Sequence, residues 1–319
     1  MLVFLSIPIV NVLAIVIPSR GKYGLSKEVT RYLMAMAAAD LLVVFLDLVL
    51  RHILLVYREA SNSLRNIPVC NVHAALRYAA NDCSVWFTVM FTFDRFVAIR
   101  CQNLKAKYCT ERTAAVVLGT VAALSCLKNV FWYFLLSGIY WMFNVPWFFQ
   151  LSSAAMISVA WTVVDFGSYI LTPVIPFVVI LLLNVLTIRH VLVTSRARRR
   201  LRGRNSGDSS KDSEMENRRK SIILLLVVSA NFIVLWMLFA VQTLWMRLLY
   251  FSAAFPPMTM RELGYMLQLL SCCTNTALYA LTQRKLREQM REVVKFPFTH
   301  IVRETIQNEE LRNRRCPPS

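Results

Sequence analysis

Apolar residues run along this chain in blocks of about 20 instead of alternating with polar ones. A helix needs roughly 20 mainly apolar residues to cross about 30 Å of hydrocarbon. Six blocks reach that length, and a shorter one precedes them. The seven blocks, here called the first to seventh spans, cover about 2–17, 30–54, 67–99, 113–136, 165–192, 221–246 and 263–282. The pattern predicts an all-α membrane protein, with a seven-transmembrane helix bundle over residues 1–283.

The first span is shorter than the others. It begins at Met1 and covers only about 26 Å at 1.5 Å per residue. The alternative interpretation is a signal peptide, but the segment lacks a basic start and a small-residue cleavage site. Pro8 and Asn11 also suit a bundle helix better. We therefore expect a first helix that is truncated at its outer end.

A polar segment follows the seventh span. Between Gln283 and Phe296 apolar residues recur every three or four positions, with Arg and Lys on the other face. This pattern is typical of an amphipathic helix that lies along a membrane surface. A solvated tail helix is the alternative. Residues 284–319 are thus predicted to form an amphipathic helix 8 and a cytoplasmic tail.

Charge adds an orientation to the predicted bundle. The formal net charge of +18 alone would suggest a nucleic-acid partner, but the basic residues lie between and after the spans, which argues against one. Connections on one side of the bundle hold 27 Lys and Arg, and those on the other side hold 5. Basic residues favour the cytoplasmic side. We expect the amino terminus outside, the carboxy terminus in the cytoplasm, and a multi-pass protein of the plasma membrane.

Polar residues recur at similar depth in several spans. An ionisable group inside the membrane is costly and marks a functional hypothesis. Asp40 lies mid-way along the second span, and Asn11, Ser84, Asn275 and Tyr279 lie at comparable depth in other spans. An interhelical hydrogen bond is the simpler role for Asp40. The set also suits a cluster that holds a sodium ion or water.

The third span carries charge at its cytoplasmic end, in its outer third and near its middle. Asp94 and Arg95 lie at its cytoplasmic end, where simple interface charge is the alternative to a function. Cys70 lies about 37 Å away along a helix, at the extracellular surface. Arg77 is roughly 26 Å above Arg95, and Asp82 about 20 Å above it.

These residues together resemble the rhodopsin-like (class A) G-protein-coupled receptors from about residue 3 to residue 296. The matching positions are Asn11, AAADLL at 37–42, Cys70, Asp94-Arg95-Phe96, Pro176, Phe232, Trp236 and Asn275-Thr276-Ala277-Leu278-Tyr279. Within the family, three features are most similar to the orphan branch called probable G-protein coupled receptor 139-like. They are YLMAMAAADLLVVF, the ending NTALYALTQRKLRE, and Asn184 eight residues after Pro176.

The chain departs from the family pattern in several places. Phe96 ends the triplet that normally ends in Tyr, Leu238 replaces a sixth-span Pro, and Thr276 replaces the Pro of the seventh span. Segment 137–164 contains no Cys, although the family normally joins this loop to the Cys70 position by a disulfide. We expect Cys70 to be unpaired. The aromatic residues expected to hold the outer loop are Trp141, Trp147 and Trp161.

The resemblance implies a ligand-driven two-state switch and not an enzyme. It implies a heterotrimeric G protein, arrestin, receptor kinases, an extracellular ligand and the lipid bilayer as partners, no required cofactor, and an allosteric sodium ion. The implied sodium ligands are Asp40, Ser84 and Asn275. The implied switch and coupling residues are Asp94, Arg95, Phe96, Phe232, Trp236, Asn275 and Tyr279. The usual acidic partner of Arg95 on the sixth span is missing, which predicts a weak resting lock and raised basal signalling.

For the ligand pocket the sequence favours six residues in the outer halves of the spans: Arg77, Tyr78, Asn81, Trp236, Phe239 and Tyr265. Arg77 would pair with a ligand carboxylate, and its alternatives are snorkelling to the surface or pairing with Asp82. The related receptors suggest amino-acid or neuropeptide ligands. A small multi-span transporter is the alternative function, but it should show internal repeats, and we find none.

Overall fold

The structure is a computed structural model of the full chain, and it describes residues 11–12, 15–16, 26–50, 67–142, 145–151, 158–202, 209–248 and 258–282. Residues 11–12 and 15–16 of the first span are helical. The rest of that span and the predicted helix 8 lie outside the described residues. The domain limits at 283 and 284 therefore stay predictions.

The second to fourth spans are helices, and a short helix connects the third to the fourth. The second is an α-helix, Lys27–Val44, continued by a π-helix, Phe45–Leu50. The third is one unbroken α-helix, Ile67–Arg100. After the short helix Gln102–Tyr108, the fourth consists of Glu111–Asn129 and Phe131–Leu135.

The fourth span begins where its sequence supplies a cap. Thr110 has an extended backbone, and its side chain accepts a hydrogen bond from the backbone N–H of Thr113 at 3.2 Å. A Thr in this position satisfies one of the amide groups that lack a partner in the first helical turn. Glu111 in that turn also complements the helix dipole.

The fifth to seventh spans are long helices. The fifth consists of Val159–Tyr169, a π-helical turn Ile170–Val174, and Ile175–Arg202. Thr172 has non-helical dihedral angles directly before Pro173, since a proline disfavours the α conformation of the residue before it. The sixth is Ser209–Leu248 and the seventh Met258–Thr282.

Several helix ends differ from the predicted limits. The fifth helix begins at 159 instead of 165 and continues to 202, and the sixth begins at 209 instead of 221. Hydropathy locates the part of a helix that lies in lipid, whereas Arg, Lys and Glu favour helix as well and extend it into water. Of the second span, residues 51–54 lie outside the described part.

The outer loop contains structure that the sequence analysis did not predict. Strands β1, Leu136–Met142, and β2, Val145–Leu151, pair antiparallel, with Leu136 opposite Leu151 and Met142 opposite Val145. Both strands are rich in aromatic and branched residues, which favour extended structure. The helical bundle is as predicted, and this hairpin is an addition to it.

The third span lies at the centre of the bundle. Its Phe87 and Phe91 pack with Tyr32 and Met36 of the second span and Leu118 of the fourth. On its other side, a second cluster joins it to the fifth and sixth spans. That cluster contains Val85, Val89, Ile180, Phe232 and Trp236. The third span is therefore in position to connect the other helices.

Four helices of the described part have the length and apolar composition to cross a membrane. They are Lys27–Asp47, Glu111–Phe134, Val159–Thr194 and Leu226–Trp245. A shorter apolar helix covers Leu263–Cys272. The third span does not meet the same test. Its outer and middle turns include Arg77 and Asp82, which suit a central helix that is screened from lipid by its neighbours.

Candidate functional site

At the cytoplasmic end of the third span, Arg95 lies against two carboxylates. Its Nε donates to Asp94 Oδ2 at 3.0 Å, and its Nη2 donates to the same oxygen. Glu28 of the second span places Oε1 3.8 Å from Nη2. Asp94 and Arg95 are both buried. A carboxylate from the second span thus lies beside Arg95, whereas the family pattern has its usual acidic partner on the sixth span.

The loop after the third span packs onto the same residues. The Cys109 thiol donates to the backbone carbonyl of Asp94, with 3.7 Å between sulfur and oxygen. Burial, and after it the nearby Asp94 carboxylate, raises the pKa of Cys109 to about 11. Phe96 points elsewhere, with the Arg100 guanidinium 5.7 Å from its ring centre. Phe96 therefore takes no part in the Arg95 ion pairs.

The predicted polar cluster in the middle of the membrane is partly assembled. Asp40 is fully buried, and Ser84 Oγ donates to its Oδ1 at 2.5 Å. Asn11 donates to the carbonyl of Cys272 at 3.0 Å and so connects the first and seventh spans. Asn275 and Tyr279 lie on the seventh-span helix, but their side chains are outside the described part.

Arg77 pairs with a residue that the sequence analysis did not consider. Its Nε lies 2.8 Å from Asp47 Oδ1, and Asp47 belongs to the π-helical turn of the second span. A π turn holds more residues than an α turn and rotates the side chains that follow it. Pairing with Asp82 is therefore wrong. The same turn presents the Leu46 carbonyl, which accepts from His73 Nε2 at 2.8 Å.

Asp82 pairs instead with the fourth span. Lys128 Nζ lies 2.6 Å from Asp82 Oδ2, and Asn129 Nδ2 donates to the same oxygen at 2.6 Å. Asn129 also donates to the Ser125 carbonyl at 2.8 Å, which fixes its orientation. Two ion pairs with buried carboxylates, Asp47–Arg77 and Asp82–Lys128, thus lie within the membrane-spanning part of the bundle.

A cavity of about 40 Å³ lies between the third, fourth, fifth and sixth spans. Its lining residues are Tyr78, Asn81, Asp82, Asn129, Trp132, Ser168, Tyr169, Thr172, Trp236 and Phe239. Four of the six predicted pocket residues are in this set. Arg77 and Tyr265 are not, although the Arg77 guanidinium lies 5.8 Å from the ring centres of Tyr78 and Tyr265.

Aromatic rings connect the cavity to the neighbouring helices. Tyr78 stacks on Trp132 with ring centres 4.3 Å apart. On the other side, Trp236 contacts Phe239 at 5.8 Å and Phe232 at 5.4 Å, and Phe232 contacts Phe177 at 5.5 Å. Such rings pack closely and resist independent movement. Trp236 thus belongs both to the lining of the cavity and to the aromatic contacts of the sixth span.

Residues 10–279 match the sequence model of the family described as 7 transmembrane receptor (rhodopsin family). The match covers most of the chain. This protein belongs to the rhodopsin family of seven-transmembrane receptors. It is accordingly a multi-pass membrane protein and a non-enzymatic signalling receptor, for which the family implies coupling to a G protein. The transporter alternative has no support from this assignment.

Six of the ten residues that line the receptor's cavity were not among the predicted pocket residues. Several of them come from the fourth and fifth spans: Asn129, Trp132, Tyr169 and Thr172. The spacing of apolar residues did not define which face of these two helices points into the bundle. Charge was the feature of the sequence that could have indicated this part of the cavity. Lys128 and Asp82 are opposite charges in neighbouring spans, and each needs a partner in lipid.

Proposed function

We propose that this receptor binds an extracellular small-molecule or peptide ligand in the cavity beside Trp236 and activates a heterotrimeric G protein. One observation carries the proposal. The unbroken 34-residue helix Ile67–Arg100 holds three cavity residues, Tyr78, Asn81 and Asp82, and ends in the Arg95 ion pairs. Cavity and coupling end thus share one rigid element.

The switch is a shift between two packings of the sixth span. A ligand that contacts Trp236 and Phe239 more favourably in one packing shifts the population towards it. Because Phe232 and Trp236 are both buried and in ring contact, they move together. Separation of the cytoplasmic helix ends then exposes Arg95, which leaves Glu28 and meets the G protein.

The orientation, location and partners follow from the charge pattern and the family likeness. We assign the amino terminus to the outside and the carboxy terminus to the cytoplasm of the plasma membrane, supported by the 27 basic residues on one side against 5 on the other. Arrestin and receptor kinases would act on that cytoplasmic face. The likeness to the 139-like orphan branch favours an amino-acid or neuropeptide ligand.

We also propose that Asp40, Ser84 and Asn275 bind a sodium ion that favours the resting state. Asp40 is fully buried and adjoins the Ser84 hydroxyl, and carboxylate and hydroxyl oxygens suit a hard cation. Sodium chloride should raise the thermal unfolding midpoint of the purified receptor more than potassium chloride does. That difference should vanish in Asp40→Asn, and its persistence there would contradict the site.

Nucleotide exchange tests the main proposal. Membranes that contain the receptor should accelerate GDP–GTP exchange on at least one of the main heterotrimeric G-protein classes, relative to membranes from mock-transfected cells. Arg95→Ala should abolish the acceleration, since it removes the cation that meets the G protein. Exchange in wild-type membranes at the mock level, with every G-protein class, would refute G-protein coupling, and acceleration that persists in Arg95→Ala would refute coupling through Arg95.

A further inference from the structure

The charges around the cavity cancel in pairs. Asp82 is neutralised by Lys128 at 2.6 Å, and Arg77, beside the cavity residue Tyr78, is neutralised by Asp47 at 2.8 Å. The side chains of Asp47 and Asp82 are 1% and 7% exposed, so water screens neither pair well. Among the described residues that line the cavity, Asp82 alone is an acidic or basic side chain, and Lys128 pairs with it. A charged group that enters therefore finds no unpaired opposite charge in this lining, and burial of an unpaired charge is very costly.

The cavity nevertheless presents hydrogen-bond acceptors. Lys128 and Asn129 both reach Asp82 Oδ2, and no described residue donates to Oδ1. Asn81 Oδ1 is buried and likewise receives no hydrogen bond from the described part of the chain. Asn81 and Asp82 both line the cavity. Two acceptors that lack donors favour a partner that carries N–H or O–H groups.

The size of the cavity limits the group that enters. One water requires roughly 10–15 Å³ of such space, so about 40 Å³ accommodates a head group of about three non-hydrogen atoms. The stacked rings of Tyr78 and Trp132 form an apolar wall beside that space. A flat ring attached to a small polar head group fits both features.

We infer that the group of the ligand that enters the cavity is an uncharged hydrogen-bond donor, of the carboxamide type, attached to an aromatic ring. The inference rests on the proposed ligand cavity. A primary carboxamide has three non-hydrogen atoms and two N–H donors, one for each acceptor. The ion pairs then act as specificity determinants, because they remove the net charge that would attract an acid or an amine.

Four similar probes test this inference by their effect on the thermal unfolding midpoint of the purified receptor. Benzamide is an uncharged donor, acetophenone lacks a donor, benzoate is an anion and benzylammonium is a cation. At about 10 mM each, the shift in midpoint reports affinity. Benzamide should bind at least about tenfold tighter than either charged probe. It should also bind more tightly than acetophenone.

Two substitutions should invert the charge preference. Lys128→Met leaves Asp82 without its counter-ion and should make benzylammonium the tightest probe. Asp47→Asn leaves Arg77 uncompensated and should favour benzoate. If either variant fails to fold, the double variant Asp82→Asn with Lys128→Met serves instead. It removes both charges together and should again prefer benzamide to the charged probes.

The inference is overturned if wild type prefers benzoate or benzylammonium, or if acetophenone binds as well as benzamide. Absence of any shift with all four probes, up to their solubility limits, overturns it as well. The unfolding measurement needs no G protein. Failure here therefore leaves G-protein coupling intact, and failure of nucleotide exchange leaves this binding result standing.

Discussion

Arg95 differs from an ordinary interface cation because carboxylates approach it from two helices. Asp94 is its neighbour in sequence, whereas Glu28 reaches it from the second span at 3.8 Å. The Glu28 contact joins two helices, so it resists separation of their cytoplasmic ends. The Asp94 contact lies within one helix and cannot do so. We therefore propose that Glu28 supplies part of the resting lock that the sixth span lacks.

Glu28→Gln should therefore raise basal nucleotide exchange. A partly buried ion pair of this length is worth about 0.5–1 kcal/mol, which corresponds to roughly a two- to fivefold change in the active population. The measurement is GDP–GTP exchange in membranes without ligand, normalised to receptor abundance.

Glu111→Gln provides the matched control. Glu111 lies at the same cytoplasmic end and pairs with Arg31 at 2.6 Å and Lys27 at 3.8 Å. It makes no described contact with Arg95 and is more exposed than Glu28. Its removal should leave basal exchange at the wild-type level. If both variants behaved alike, Glu28 would have no specific role in the lock.

For single residues, the sequence predicted which polar side chains lie inside the bundle better than it predicted their hydrogen-bond and ion-pair partners. Asp40 and Ser84 were placed together by depth alone, and they are hydrogen-bonded. Pairing with Asp82 was one alternative for Arg77, because the two residues lie close on one helix, yet the partner of Arg77 is Asp47. The π turn that contains Asp47 changes the direction in which the side chains leave the helix axis. A hydropathy pattern does not predict such a turn.

Among the helices, the sixth and seventh spans approach each other closely at Gly264. A Cβ placed on Gly264 would lie 2.8–2.9 Å from the end of the Gln242 side chain, which is 5% exposed. Gly264 thus provides the space in which Gln242 is buried. Close approach of this kind is common where membrane helices carry small residues.

Gly264→Ala should lower the thermal unfolding midpoint relative to Gly119→Ala, because the added methyl group forces the end of the Gln242 side chain to move. The end of a flexible side chain moves at modest cost, and Ala is favoured over Gly inside a helix, so the expected difference between the two variants is about 1 kcal/mol. The purified variant is measured beside wild type in the same detergent, without ligand.

A second substitution separates this contact from a general effect of helix composition. In the Gln242→Ala background the methyl group added by Gly264→Ala no longer meets the Gln242 amide, so the change should cost little there. Gly119→Ala is the matched control, since nothing lies within 4 Å of a Cβ at that position. An equal loss in both backgrounds would show that Gln242 does not set the constraint.

Helices were predictable as elements, but their ends and the outer loop were not. Hydropathy located the lipid-embedded parts, and the fifth and sixth helices continue past them through polar residues. The hairpin of β1 and β2 was missed because its aromatic and branched residues alternate weakly with polar ones. The hairpin is stabilised by pairing between its two strands, which the local pattern of residues does not show.

For the whole molecule, the seven-span bundle was predictable because the cost of exposing polar backbone in lipid leaves few alternatives. The third span shows the limit of that reasoning. It carries Arg77 and Asp82 and is not among the four described helices with the apolar composition to cross a membrane, yet it lies at the centre of the bundle. Its charges are tolerated because Asp47 and Lys128 come from the helices beside it.

The orientation of the whole bundle across the membrane is the last prediction. The 27 basic residues on one side and 5 on the other should place the carboxy terminus in the cytoplasm, since translocation of Lys and Arg is unfavourable. An epitope at the carboxy terminus should bind antibody only after cells are permeabilised. One inserted after Leu151, beyond the β1–β2 hairpin, should bind antibody on intact cells. The reverse pattern would invert the bundle. Arg95 and the Glu28 contact would then face the outside, where no G protein can reach them, so this result bears on every step of the proposed switch.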